Sequence, residues 1–439
     1  MRSLCALLAI LHCPLLIPRA AQAAQQPDSI RSLDAAFQLA GRASEARDWK
    51  TVRAALETAL RLSPDHPAAL YSLARAEARL GDGSAAVRTL ERLATQGAVR
   101  PVADDTAFAS LRRSTQFRQV AQRLAAGATP MVRSDTSFVL PDPDFIPEGI
   151  AWDPADGAFY VGSLTGRGIV RVVDGRASTW VRTDSTRLVQ ILGLRVDRAR
   201  RRLWVAALIA DTAAPRFFRG PGGWASVEAY QLPTGKLLGR WAPDSSGPHL
   251  LNDIAITPAG DVYVTDSEGG ALQRLRAGEG RLEPVHIDRE RFLYPNGIAT
   301  SVDGSRLYVA HFEGLSWFDL RASSLAPTRL RAPAGVTTAG IDGLYQCADG
   351  LVAVQYMLDF PQITWFALSG DGASITAAKP LERRHSSQSG PTTGAVSGGA
   401  LHYIANAQLE RLGDDQSVKP GKGERSVVLR LPLGDACAA

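Results

Sequence analysis

Cysteine is scarce. Four occur in 439 residues, and none belongs to a CxxC pair or a Cys/His cluster, so thiolate zinc sites and dithiol redox chemistry have no basis in the sequence. No GxSxG elbow and no Ser/His/Asp order is present, which argues against a serine hydrolase. Long apolar runs are missing as well. The one conspicuous run, Leu4 to Ile17, is too short for a comfortable membrane span. Charge is nearly balanced, with a formal net of +5. No dense Lys/Arg run carries interleaved aromatics, so nucleic acid is not an expected partner.

What is present begins with MRSLCALLAILHCPLLIPRAAQAAQQ: Arg2, the apolar run, and an Ala21-Gln22-Ala23 cleavage pattern. This reads as a secretory signal over residues 1–23. His12 precedes Cys13, where a lipoprotein would need a small residue. The expectation is a soluble periplasmic or secreted protein. A hydrophobic fraction of 45% and a mean hydropathy near zero fit a globular chain, long enough for two domains. Cys347 and Cys437 remain after cleavage. They form either a disulfide or two free thiols.

Residues 29–127 are Ala/Leu/Arg-rich with helical periodicity. Trp49, Val52, Leu56, Ala59 and Pro64 are followed by Leu70, Leu73, Ala74, Gly81, Ala86, Leu90 and Leu93. Small residues let paired helices approach closely, and the period near thirty-four residues resembles tetratricopeptide repeats. Phe108, Leu111, Phe117, Val120 and Leu124 suit a closing helix. Such a domain either recruits a protein partner or packs on its neighbour. Residues 128–137 read as a linker.

From residue 138 to 436 the texture changes to short strands between Gly, Pro, Asp and Ser. One hairpin recurs six times: PEGIAWDPADGAFYVGS, LGLRVDRARRRLWVAAL, LNDIAITPAGDVYVTDS, PNGIATSVDGSRLYVAHF, IDGLYQCADGLVAVQY and TGAVSGGALHYIAN. Aligning Gly149, Gly193, Asp253, Gly297, Gly343 and Gly394 gives spacings of 44, 60, 44, 46 and 51. With two further strands after each hairpin, six such units make a six-bladed β-propeller, whereas a solenoid would favour a shorter, stricter period. The expected class is an all-β six-bladed propeller preceded by a small all-α tetratricopeptide-like domain. The long second spacing holds an insertion, Asp211 to Ala225. Its Phe217 and Trp224 are candidate substrate contacts if it is a lid over the top face. The same insertion also suits a plain surface loop.

The residue before each aligned position heads an innermost strand: Glu148, Leu192, Asn252, Asn296, Asp342 and Thr393. Two carboxylates and two amide oxygens converging on one axis are hard donors, suited to Ca²⁺ first and to Mg²⁺, Mn²⁺ or Zn²⁺ after it. The expected ligands of this single divalent cation are Glu148, Asn252, Asn296 and Asp342.

Those motifs, PEG at Glu148, LND at Asn252, PNG at Asn296 and DG at Asp342, resemble the gluconolactonase/regucalcin (senescence marker protein) family over about Phe138 to Leu433. The resemblance implies a six-bladed propeller with one axial divalent metal held by Glu148, Asn296 and Asp342. It also implies that Asn252 meets metal or substrate, and that Asp342 doubles as the general base. Two positions depart from related patterns. Sugar lactonases of the family carry an Arg where this chain has Leu250, and paraoxonases carry a His where it has Leu192.

The reaction this implies is hydrolysis of a small-molecule lactone or related ester. Second-strand ends return to the top face, bringing Asp266, His311 and Gln355 to the mouth. Asp266 and His311, at equivalent positions in adjacent blades, are expected to form an acid/base couple beside the catalytic Asp342. His249, a candidate substrate contact, and His385 lie on loops that reach the same face. A non-catalytic scaffold with a structural metal, and a hydrolase of organophosphate or another ester, are the rival readings.

Overall fold

The structure is a computed structural model, and it describes residues 30–165, 168–182, 188–209, 224–243, 247–356, 360–413, 418–419 and 423–437. Residues 1–29, which include the expected signal, and most of the insertion, with Phe217, lie outside the described residues. Of Trp224 only the backbone is described.

Among the described residues five α-helices come first: α1 (Leu33–Glu45), α2 (Trp49–Leu62), α3 (Pro67–Arg79), α4 (Gly83–Thr95) and α5 (Thr115–Ala126). Ser32, Asp48, Asp82 and Ser114 accept a hydrogen bond from a first-turn N–H of α1, α2, α4 and α5 respectively, and Pro67 opens α3. These are the residues that favour helix starts. Ala36, Ala40, Ala55 and Ala59 are buried between α1 and α2, so the two helices pack closely around Val52 and Leu56. Leu70, Leu90, Phe108, Phe117 and Leu124 form a second core that includes the expected closing helix.

The remainder forms six four-stranded antiparallel sheets. Blade one holds β2 (Pro147–Asp153), β3 (Ala158–Ser163), β4 (Ile169–Val173) and β5 (Arg176–Val181). Blade two holds β6 (Leu188–Asp197), β7 (Arg202–Ile209), β8 (Trp224–Gln231) and β9 (Lys236–Trp241). Blade three holds β10 (Leu251–Ile256), β11 (Val262–Asp266), β12 (Ala271–Leu275) and β13 (Leu282–Ile287). Blade four holds β14 (Ile298–Thr300), β15 (Arg306–His311), β16 (Gly314–Asp319) and β17 (Thr328–Arg329). Blade five holds β18 (Ile341–Cys347), β19 (Gly350–Gln355), β20 (Gln362–Leu368) and β21 (Ile375–Arg383).

The sixth blade departs from the expected arrangement of two strands after each hairpin. Its hairpin, β22 (Gly394–Ser397) and β23 (Ala400–Ile404), is followed by β24 (Val427–Pro432) alone. The outer strand is β1 (Asp135–Val139), which pairs antiparallel with β24 from Asp135↔Arg430 to Val139↔Val427. Residues read as the end of a linker therefore close the ring and remove the free edge that β24 would present. The two cysteines are joined by a disulfide, Cys347–Cys437, with Cα atoms 5.0 Å apart across 90 residues of sequence. It fastens the chain's end to blade five. Cys347→Ser is expected to lower the unfolding free energy of the oxidised protein by about 2–4 kcal/mol. Denaturant titration with and without reductant checks this, and equal midpoints for variant and oxidised wild type would refute it.

The helical domain meets the propeller by one end of its antiparallel array. The Leu62 carbonyl at the end of α2 accepts from Arg329, and Asp65 Oδ2, in the turn before α3, accepts from the Gly335 N–H at 3.0 Å. Phe37 of α1 lies edge-on to Phe312 at 6.4 Å, while Ala339 and Phe360 join the second helical core. Phe312, Gly335, Ala339 and Phe360 all belong to connections on the face where the inner strands begin. The helices thus stand on the top face over blades four and five.

Candidate active site

The inner strands of blades one, two, three and five each carry a β-bulge at the ring position: between Pro147 and Ile150, Ile191 and Leu194, Leu251 and Ile254, and Ile341 and Leu344. The bulged pairs are Glu148-Gly149, Leu192-Gly193, Asn252-Asp253 and Asp342-Gly343. A bulge re-aims a side chain that a regular pleat would send into the sheet. The glycines have a separate cause. A Cβ on Gly149 would strike the Leu192 carbonyl, and one on Gly193 the Asn252 carbonyl. Only glycine lets adjacent inner strands approach this closely around the axis.

Glu148, Asn252, Asn296 and Asp342 are 7%, 7%, 7% and 3% exposed, buried polar groups at the head of four blades. Asn296 Nδ2 donates to Asp342 Oδ1 at 2.7 Å. Asn252 Nδ2 donates to Ser267 Oγ at 3.1 Å, which leaves its amide oxygen as the end that can face the axis. Ser267 Oγ in turn donates to the Pro295 carbonyl at 2.7 Å, holding the start of blade four against blade three. Thr393, the sixth ring residue, donates its hydroxyl to the Glu148 carbonyl.

Among the described residues, two atoms in this set are buried without a hydrogen-bond partner: Glu148 Oε2 and Asn296 Oδ1. Leaving such acceptors unsatisfied is costly. Burial holds the Glu148 carboxyl well above the usual range, and the charges of Asp342 and Asp253 add to it. Asp342 is pushed up to about 7 by burial and by Asp253, against the opposing Asn296 hydrogen bond. Among the described residues no three His, Cys, Asp or Glu side chains form a metal cage. The axial set is instead two carboxylates plus two amides, with orphan oxygens and like charges that a hard cation would satisfy together. The residues present fit such a cation.

Asp253 follows Asn252 but is engaged elsewhere. Its Oδ1 accepts from the Ile254 N–H at 2.7 Å and its Oδ2 from the Ile298 N–H at 3.2 Å, while Arg195 Nη2 lies 3.3 Å away. Arg195 also donates to the Ile254 carbonyl at 2.8 Å and lies over the Tyr345 ring at 5.7 Å. The Tyr345 hydroxyl accepts from the Gly394 N–H. One chain of contacts thereby links blades two to six beneath the axial oxygens. A signal for it was in the alignment, since Asp253 alone occupies a position filled by glycine in the other five repeats.

The expected Asp266–His311 couple is not formed. Asp266 Oδ2 lies 2.5 Å from His249 Nδ1, on the loop entering its own blade. His311 Nε2 is bonded to Ser316 Oγ at 2.8 Å, and its ring packs against Phe292 at 5.0 Å. Burial, then Arg329 and Arg291, lower the His311 pKa to about 3, so this ring is neutral. Equivalent positions in neighbouring blades are separated by an interblade core, whereas the loop into blade three folds back over β11. Gln355 is buried and donates to the Thr337 and Ala339 carbonyls at 3.2 and 3.1 Å. His385 Nδ1 accepts from the Ser387 N–H at 3.1 Å within its own turn.

The rim beside the axial oxygens is apolar over blades two and three. Leu192 and Leu250 share one cluster with Leu409, Leu412 and Val418 of the β23–β24 connection. That connection is latched by Arg411, which reaches Asp144 Oδ1 at 2.8 Å and the Pro143 carbonyl at 2.6 Å. Burial raises the Tyr356 phenol, and the charges of Asp342, Glu410 and Glu148 add to it.

Fold and site together define a six-bladed β-propeller with an axial oxygen-donor site, preceded by helices of tetratricopeptide type. The tetratricopeptide repeat family profile matches residues 39–112. No curated protein matches the chain. Among solved structures, the chain is similar to regucalcin, a calcium-binding protein from Agrobacterium tumefaciens (17% identity, 67% of this chain and 93% of that one, TM-score 0.43). It is also similar to the PQQ-bound aldose sugar dehydrogenase from Streptomyces coelicolor (14%, 69% and 99%, 0.45) and to virginiamycin B lyase from Staphylococcus aureus (13%, 70% and 90%, 0.44).

Proposed function

We propose that this chain is an exported, metal-dependent hydrolase of lactones or related esters. The observation that carries the reading is the buried axial set Glu148, Asn252, Asn296 and Asp342, with two oxygens left unpartnered. These four residues would hold a divalent cation, Ca²⁺ first by donor chemistry. Such a cation, when bound, polarises a carbonyl and stabilises the oxyanion formed on it. The protein's own residues do the rest. Asn296 orients Asp342 through its amide, Ser267 orients Asn252, and bulges fix Glu148, Asn252 and Asp342 on rigid strands. The gluconolactonase/regucalcin-like motifs at the same four positions support the reading. A leader sequence and a disulfide suit an oxidising, exported location.

Leu192 and Leu250, packed with Leu412, make the blade-two and blade-three rim a poor match for sugar hydroxyls. The expected substrates are aliphatic or aryl lactones rather than gluconolactone. Turnover by the purified chain with Ca²⁺, Mg²⁺, Mn²⁺ or Zn²⁺ against a lactone panel tests this, with Asp342→Ala as control. Metal-dependent hydrolysis at least about tenfold faster for aliphatic or aryl lactones is the expected outcome. No turnover above the control would favour the second reading, a non-catalytic binding protein. That reading draws on the helical domain, whose repeat type suits a protein partner.

A further inference from the structure

We propose that the helical domain is a positioning buttress of the axial site. Helices α1 and α2 hold the entry loop of Asn296, α3 and α4 hold that of Asp342, and their docking sets the affinity for the cation; this rests on the cation reading above. The two donors concerned already form a pair, since Asn296 Nδ2 donates to Asp342 Oδ1 at 2.7 Å from one blade to the next.

Blade four meets α1 and α2. The turn Phe312–Glu313 joins β15 to β16 and lies between the helices and the loop that enters the blade. Phe312 packs edge-on against Phe37 of α1 at 6.4 Å and against Tyr294 at 6.3 Å. Its N–H donates to the Leu293 carbonyl at 2.8 Å. Tyr294 lies two residues before Asn296 and takes a left-handed φ of 49°, which a bulky side chain keeps only where its surroundings impose it. Glu313 is buried, 3.5 Å from Arg291 and 3.4 Å from Arg329. The Leu33 N–H, in the first turn of α1, interacts with the same carboxylate. Arg329 donates to the Leu62 carbonyl that ends α2. A carboxylate thus meets the positive end of α1 and a guanidinium the negative end of α2, so the propeller's charges fit the antiparallel pair.

Blade five meets the next pair. Asp65, which accepts from the Gly335 N–H, lies 3.0 Å from Arg92 of α4, and its carbonyl accepts from Gln96 at 2.7 Å. Gly335 has a φ of 82°, and a Cβ there would lie 2.8 Å from Thr95 Oγ1 at the end of α4. Ala339, three residues before Asp342, is buried in one core with Leu70 of α3 and Leu90 of α4. Gln355 holds the Ala339 carbonyl from the propeller side. The entries to Glu148 and Asn252 are braced differently, by propeller groups: Arg411 on Pro143 and Asp144, and Asp266 on the Leu250 N–H.

A site with several donors binds in proportion to the time all of them are in place. The helices fasten two loops of different blades to one packed array, and so fix the separation of Asn296 and Asp342 before a cation arrives. Linkage makes the effect reciprocal, so a bound cation tightens the docking by the same factor.

The test uses full-length protein and CaCl₂. Phe37→Ala combined with Arg329→Gln removes two docking contacts and leaves every axial side chain in place. The calorimetric Kd of this double variant for Ca²⁺ is expected to rise about tenfold, the effect of a competent fraction near one tenth. In chelator, hydrogen exchange over residues 291–297 and 335–343 is expected to quicken by about tenfold or more, while residues 145–149 keep their protection. Val52→Ala is the control. It truncates the buried core of the same helix about 15 Å from Leu62, and both readouts are expected to stay within about threefold of wild type. Wild-type affinity in the folded double variant, with or without faster exchange, would overturn the buttress and leave the cation site standing. Equal weakening in Val52→Ala would also overturn it, because a general loss of helical stability would then suffice. A wild type that takes up no calcium would overturn the cation reading itself, and exchange at the two loops would still support or refute the positioning.

Discussion

Asp342→Asn is expected to move stability in opposite directions with and without calcium. In chelator at pH 7–8 the variant should be the more stable protein, and in saturating calcium the less stable one. The apo effect follows from the raised carboxyl. A group whose folded pKa is about 7 against an ordinary 3.8 binds more protons folded than unfolded between those values. Its burial therefore costs nothing at low pH and costs progressively more as pH rises from about 4 through 7. Substituting a neutral amide removes that cost and relieves Glu148, together roughly 2–4 kcal/mol near pH 8. Calcium adds stability only to the state that binds it, about 2.7 kcal/mol at a hundredfold excess over Kd, and the variant has lost one of two anionic donors. Turnover should fall at least ~10²-fold. Thermal melts in EDTA and in Ca²⁺ read both signs. An equal calcium-induced rise in Tm for wild type and variant would remove Asp342 from the cation site.

Much of this site was legible because a propeller writes its geometry as a repeat. Equivalent positions of one period must lie on one ring, so Glu148, Asn252, Asn296 and Asp342 could be assembled on an axis without knowing any distance. The glycines that follow Glu148, Leu192, Asn296 and Asp342 mark the close approach of inner strands for the same reason. What the repeat does not encode was missed. β1 pairs with a strand nearly three hundred residues further on, and nothing in its own alternation names that partner. His311 and Asp266 are equivalent by repeat position, yet each is hydrogen-bonded within its own blade, to Ser316 and to His249. Periodicity relates positions across blades. Hydrogen bonds at loop ends are settled locally, by chain reversals with no period.

Asp253→Ala is expected to be the most destabilising single substitution at the axis, while Asp253→Asn leaves calcium affinity nearly intact. Asp253 sits beside Asn252 in the motif that resembles a metal-binding signature, so a ligand role is the natural alternative. Its carboxylate is instead spent on two backbone N–H groups of different blades and on Arg195. Truncation to alanine strands the Ile254 and Ile298 N–H groups without that acceptor, at about 1–3 kcal/mol each. It also strips the Arg195 guanidinium of its counter-charge. Breaking a buried pair by removing one partner costs about 3–5 kcal/mol. A total near that range is expected, since Arg195 is 28% exposed and keeps its bond to the Ile254 carbonyl. Asparagine retains one acceptor and should lose about half as much. Urea unfolding in chelator, paired with calorimetric calcium titration of the folded variants, separates tie from ligand. A loss below about 1 kcal/mol in Asp253→Ala would refute the tie. A folded, stable Asp253→Asn that no longer binds calcium would move the carboxylate into the metal site. Because Arg195 leads on to Tyr345 and Gly394, the damage is expected to spread around the ring as one cooperative unfolding transition rather than a local opening of blade three.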